Sequence, residues 1–140
     1  MHESTELCNI ITGWFKAVET GDITWCDRHI SASPDLRVVG TDPEEWLKGA
    51  LAEAFMRREA VHVVGKLTAR VRDIEAYVEG DIGWGIARPE ITMLNGGKVT
   101  PRWSAVFRRE SGEWKMVQLH ASVAMGNEAA FGDTFGAAQN

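Results

Sequence analysis

A chain of 140 residues, 44% hydrophobic and 25% charged, has enough material for one compact domain with a real core and too little for two ordinary ones. Its net charge of −5 argues against a general role on nucleic acid or anionic membranes. No apolar run approaches the length of a membrane span, and MHESTELCNI lacks the basic-then-apolar layout of a secretion signal, so a cytoplasmic location is expected.

Leu7, Ile10, Ile11, Trp14, Phe15 and Val18 recur every three or four residues, which is the stripe of an amphipathic helix, and Ser4 or Thr5 can cap its start. Gly21-Asp22 breaks that helix, and Asp22 can cap a shorter one containing Ile23, Trp25, Cys26 and Ile30. SASPD, residues 31–35, reads as a turn, and LRVV at 36–39 as a strand.

The segment GTDPEEWLKG, residues 40–49, admits two readings of Asp42. With Asp42 at an N-cap, Pro43 takes the first helical position and Glu45 can reach back to the cap's own N–H, a reciprocal capping box. The helix so started continues through LKGALAEAFMRRE with Leu47, Leu51, Ala54 and Phe55 on one face. Alternatively Asp42 is a reactive acid at the mouth of an apolar pocket, with Trp46 closing the rim or packed beneath it.

From residue 66 onward the period changes from 3.6 to 2. Strands are expected near 66–78, 82–94, 99–109 and 113–124, joined by EGD (79–81), NGGK (95–98) and ESGE (110–113). Val71 and Ile74 fall on opposite parities, which a bulge near Arg72-Asp73 reconciles. Three helices followed by an antiparallel meander make an α+β fold, with the helices across one face of a curved sheet that closes into a cone and leaves a cavity at its wide end. Residues 1–128 are read as the single domain and 129–140 as a loosely ordered tail.

Cys8 and Cys26 are too far apart for a metal knuckle or a redox pair, and the four histidines show no ligand spacing, so no metal site is expected. In the second long strand, Ile82, Trp84 and Ile86 share one face, while Gly83, Gly85 and Ala87 on the other let a second layer approach closely. Trp103, Ala105 and Phe107 alternate in the same way. Strict alternation in WKMVQLHAS puts Trp114, Met116, Gln118, His120 and Ser122 on one amphipathic face, a suitable pocket wall, with His120 as a candidate acid or base. Arg88 and Arg102 are available to pair with Glu75 and Glu90 on an exposed face.

The GD break after an aromatic helix, GTDPEEW, EAYVEGDIGW, RWSAVFRRESGEWKMVQLHASV and the following NE occur in an order that resembles the SnoaL-like branch of the nuclear transport factor two-like superfamily, over roughly residues 5–128. The resemblance implies a cone-shaped α+β barrel, usually a homodimer, with a pocket between helices and concave sheet. Of the three groups that ketosteroid isomerases of this superfamily use, one survives: Trp14 stands where a tyrosine is used, Asp42 falls near the base, and Ala105 replaces the second acid. Steroid-type isomerisation is therefore not expected.

Three functions follow as expectations. The first is a homodimer, paired through the sheet, that binds a small hydrophobic or aromatic molecule among Trp14, Asp42, Trp46, Trp84, Gln118 and His120. The second is a cofactor-independent enzyme on a carbonyl-containing or polycyclic metabolite, with His120 and Asp42 shuttling protons. The third is a dimerisation module with a filled interior and no ligand.

Overall fold

The computed structural model describes residues 1–133; the remainder of the expected tail lies outside the described residues. Strand β1 (His2–Glu3) leads into helix α1 (Thr5–Thr20), where Ser4 is the cap and its hydroxyl accepts the Leu7 N–H at 3.1 Å. Leu7, Ile11, Trp14, Phe15 and Val18 form the buried stripe, and Gly21 ends the helix at φ 76°, a left-handed conformation that glycine adopts without steric cost. Helix α2 (Thr24–His29) follows, with the Asp22 carboxylate accepting the Thr24 N–H at 3.0 Å.

The segment after β2 (Arg37–Val39) departs from expectation. No helix starts at Asp42: Trp46–Lys48 is strand β3, paired antiparallel to β2, and helix α3 begins only at Ala50 and runs to His62. The anticipated local bonds nevertheless form. Asp42 Oδ1 accepts the Glu44 N–H at 2.9 Å, and Glu45 Oε1 accepts the Asp42 N–H at 3.0 Å. They close a turn whose outer rung is the Gly40 N–H donating to the Glu45 carbonyl, so the chain reverses and extends. The buried face of α3 is Ala52, Met56 and Ala60, whereas Leu51 is 71% exposed and Leu47 belongs to β3.

The remaining strands are β4 (Leu67–Glu79), β5 (Ile82–Met93), β6 (Lys98–Val99), β7 (Arg102–Glu110) and β8 (Glu113–Ser122), followed by a short helix α4 (Asn127–Phe131) that crosses the expected boundary between domain and tail. The sheet order is β1-β4-β5-β7-β8-β2-β3, with β6 beside β5. It is a mixed sheet rather than a purely antiparallel one, because β2 lies parallel to β8. That parallel pair is reached through α3 and the meander, which return the chain to β2 in the same direction. The β4–β5 register shifts between Arg72 and Glu75, with Asp73 at φ 49°, so the expected bulge is present.

The core lies between the helices and one sheet face. Trp14 packs against Trp25 with ring centroids 5.0 Å apart, and Phe15 meets Trp103 edge-on at 5.6 Å. Phe107, Trp114 and Met116 are buried from the sheet side. Helix α1 crosses directly over the glycines of β5: a Cβ on Gly83 would stand 2.5 Å from Leu7 Cδ1, and one on Gly85 2.3 Å from Ile11 Cδ1. Cys26 sits in this layer, where burial pushes its thiol up to about 11.

Candidate functional site

Strand pairing fixes what the opposite sheet face presents, since directly opposed residues share a side. One row runs Glu75, Ile86, Ser104, His120, Val39, Trp46 across β4, β5, β7, β8, β2 and β3. A second runs Glu3, Tyr77, Trp84, Val106, Gln118, Arg37, Lys48. Helix α1 covers the odd-numbered side of β5, so these rows look away from it.

The expectation for β8 needs correction here. Alternation is broken by a register shift: Val106 pairs with Gln118, but Phe107 pairs with Met116, leaving Val117 unpaired. Trp114 and Met116 therefore enter the core together with Leu119, while Gln118 and His120 are exposed on the outer face. The amphipathic wall read as one face is split between two.

On this outer face a trough of about 570 Å³ crosses four strands, a volume within the range of small-molecule sites. Ile86 and Ser104 form its middle. At one end the Arg88 guanidinium grips Asp73 at 2.8 Å, and Glu75 accepts a hydrogen bond from the Tyr77 hydroxyl at 3.2 Å. The Glu75 charge pushes the Tyr77 phenol above its ordinary value. At the other end Arg102 stands across from Ser122, and His120 across from Ser104. The ion pairs differ from those expected: Glu90 lies between Arg72 (4.0 Å) and Lys98 (3.8 Å), Arg88 takes Asp73, and Arg102 takes no acid among the described residues.

The six anticipated site residues are thus divided. Trp46, Trp84, Gln118 and His120 share the outer face, although only His120 lines the trough. Trp84 stacks on Tyr77 at 4.9 Å. Trp46 is 70% exposed and carries the Arg37 guanidinium 5.5 Å from its ring centre, a cation–π contact at the sheet edge. Trp14 is on the other side of the sheet, 6% exposed within the core. Asp42 Oδ1 accepts the Glu44 N–H in the β2–β3 turn, and Asp42 is not among the residues that line the trough beside His120. Ser122 was read with His120 as part of a pocket wall, whereas Arg88, Arg102 and Ser104 were not singled out for the site; their parity with His120 across the β5–β7–β8 pairing was the signal.

Two smaller cavities lie elsewhere. One of about 370 Å³ sits between α1 and α2 beside Trp25 and His29, and one of about 340 Å³ lies at the start of α1 against β4. His29 is held below its ordinary value by burial, against the opposing effect of its 3.1 Å contact with the Trp114 carbonyl. Among the described residues no three His, Cys, Asp or Glu side chains come together as a metal site, and no helix is long and apolar enough to cross a membrane.

Known proteins are similar to this chain in the following ways. The model of the SnoaL-like domain matches residues 8–126. None of the curated proteins matches the sequence. Among solved structures, an NTF2-like protein of unknown function from Pseudomonas putida KT2440 superposes with a TM-score of 0.74 at 17% identity, covering 89% of this chain and 89% of that one. An NTF2-like superfamily protein from Salmonella enterica gives 0.68 at 18% identity, covering 86% and 89%. The association domain of CaMKII from C. elegans gives 0.65 at 15% identity, covering 84% and 95%. At such identities the likeness concerns the fold.

Proposed function

The chain belongs to the SnoaL-like domain family, and from that premise we propose that it acts as a small-molecule-binding homodimer, paired through the outer face of its sheet, with its ligand in the trough beside that interface. One observation carries this reading: the outer face runs from acid through an apolar strip to base. Glu3 and Glu75 mark the β1–β4 edge, Arg37 and Lys48 mark the β2–β3 edge, and Trp84 and Val106 lie between them. Ile82 and Ile86 are 48% and 38% exposed on this face, which is more apolar surface than strands facing only water need.

The pattern is self-complementary. In a two-fold dimer the same patch meets itself, and an axis along the strands lays the acidic edge of one copy over the basic edge of the other. The axis then passes over β7, the middle strand of the seven on the sheet path. The trough reaches from the Ile86–Ser104–His120 row toward Arg88, Arg102 and Ser122, away from the Trp84–Val106 row, so a second copy seated on that row would form one wall of it. An association domain among the structural neighbours supports assembly as part of this reading.

Charge reversal tests the pairing. Arg37→Glu and Glu75→Lys are each expected to weaken the dimer about tenfold or more in sedimentation equilibrium, since like charges meet across the interface. The double variant should regain most of the loss. Single variants that associate like the unaltered protein, or a double variant weaker than either single, would overturn this arrangement.

A further inference from the structure

The trough has two unlike ends. At the β4–β5 end the Arg88 guanidinium is satisfied by Asp73, with Nε at 3.0 Å and Nη2 at 2.8 Å. At the β7–β8 end, Arg102, Ser104, His120 and Ser122 form a tile of two directly opposed pairs. Opposed Cβ atoms in such pairs are about 4.5–5.5 Å apart, and residues two apart on one strand about 7 Å, so the four polar groups can reach a common point above the sheet. None of the four side chains has a hydrogen-bond or ion-pair partner among the described residues. The tile therefore offers a guanidinium fork, an imidazole and two hydroxyls, with no acid of its own. Ile86 adjoins Ser104 on the next strand as an apolar floor, and Trp84 follows it on the same side.

The geometry points to the carboxylate of an amphipathic monocarboxylic acid as the ligand of this tile, its apolar body lying over Ile86. The inference rests on the reading of the trough as a ligand site. A planar fork matches a carboxylate with two parallel hydrogen bonds, which a lysine in the same place would not reproduce. A single negative charge suits the one guanidinium of the tile, which takes no acid among the described residues. A dianionic phosphate would need more, and it would meet Asp73 and Glu75 across the trough. The trough's volume of about 570 Å³ accommodates a two-ring body.

The test uses 2-naphthoate and its uncharged counterpart naphthalene-2-methanol, titrated into the full chain and followed by amide chemical shifts. The acid should bind about tenfold more tightly than the alcohol, as expected for a charge-assisted fork. The shifts should centre on the amides of Ser104, His120 and Ser122. Arg102→Gln should bring the acid to within about twofold of the alcohol while leaving the alcohol unchanged, and Arg102→Lys should retain part of the preference. Added salt should weaken the acid alone. Equal binding of the two probes, binding of neither, an acid preference that survives Arg102→Gln, or shifts centred elsewhere would each overturn the assignment. Sedimentation of the same samples separates the two ideas. A dimer without acid preference removes this inference alone, and a monomer with acid preference removes the dimer and leaves the tile.

Discussion

Trp14→Ala is expected to lower folding stability by about 3–5 kcal/mol in chemical denaturation, the range for emptying a large aromatic site in a packed core. The resemblance to the SnoaL-like family placed this residue at a pocket, and a tryptophan on a hollow could be removed at little cost. In the structure its ring lies 5.0 Å from that of Trp25, whose indole N–H is committed to the Ile10 carbonyl at 2.9 Å. Trp25 is thereby held from collapsing into the gap, so a cavity remains and its cost adds to the lost burial. A loss below about 1 kcal/mol would place Trp14 beside an existing void and return the candidate site to the helix side of the sheet.

Gly85→Ala is expected to cost about 1–3 kcal/mol through overpacking, although alanine is ordinarily favoured over glycine in a strand. The new Cβ would stand 2.3 Å from Ile11 Cδ1 and 3.3 Å from both Ala76 Cβ and the Glu75 carbonyl oxygen. Ile11 is fully buried on α1, so its terminal methyl has nowhere to swing. Ile11→Val deletes that methyl and alone costs about 0.5–1.5 kcal/mol. The pair should therefore cost clearly less than the sum of its members, an interaction of about 1 kcal/mol or more in a double-mutant cycle. Strict additivity would mean that α1 does not rest on β5 at this point.

Both expectations turn on which sheet face is the packed one, and much of that was legible in residue order. The small residues Gly83, Gly85 and Ala87 announced a close layer, and α1 is that layer. The parity conflict between Val71 and Ile74 announced the β4 bulge, because an apolar residue on the wrong face must be reconciled somehow. The β8 shift gave no such sign. Val117 is apolar, so alternation looked unbroken through it, yet its unpaired position turns Trp114 and Met116 inward and leaves Gln118 and His120 outside.

The β2–β3 turn failed to announce itself for a different reason. The bonds that Asp42 and Glu45 make are common to a helix start and to a tight reversal, and local chemistry does not choose between them. The choice is tertiary: β3 pairs with the exposed side of β2, and half-buried Leu47 lies opposite Val38. The candidate site shows the same division. His120 and its strand neighbour Ser122 were visible within one strand, whereas the company of Arg102 and Ser104 depends on cross-strand register, which one strand's sequence does not contain.

In the proposed dimer, the outer sheet face is the surface that a second copy covers. Val106 lies at its centre on β7, where an axis along the strands would bring it opposite itself. Sheets stacked face to face sit about 10 Å apart, too far for a disulfide and suited to a short bismaleimide. Treating Val106→Cys with that reagent should give a covalent dimer in high yield, well above the unaltered protein with its half-buried Cys8 and buried Cys26 and above a control at the exposed helix position Arg58. Cross-linking no better than in those two controls would contradict pairing through this face.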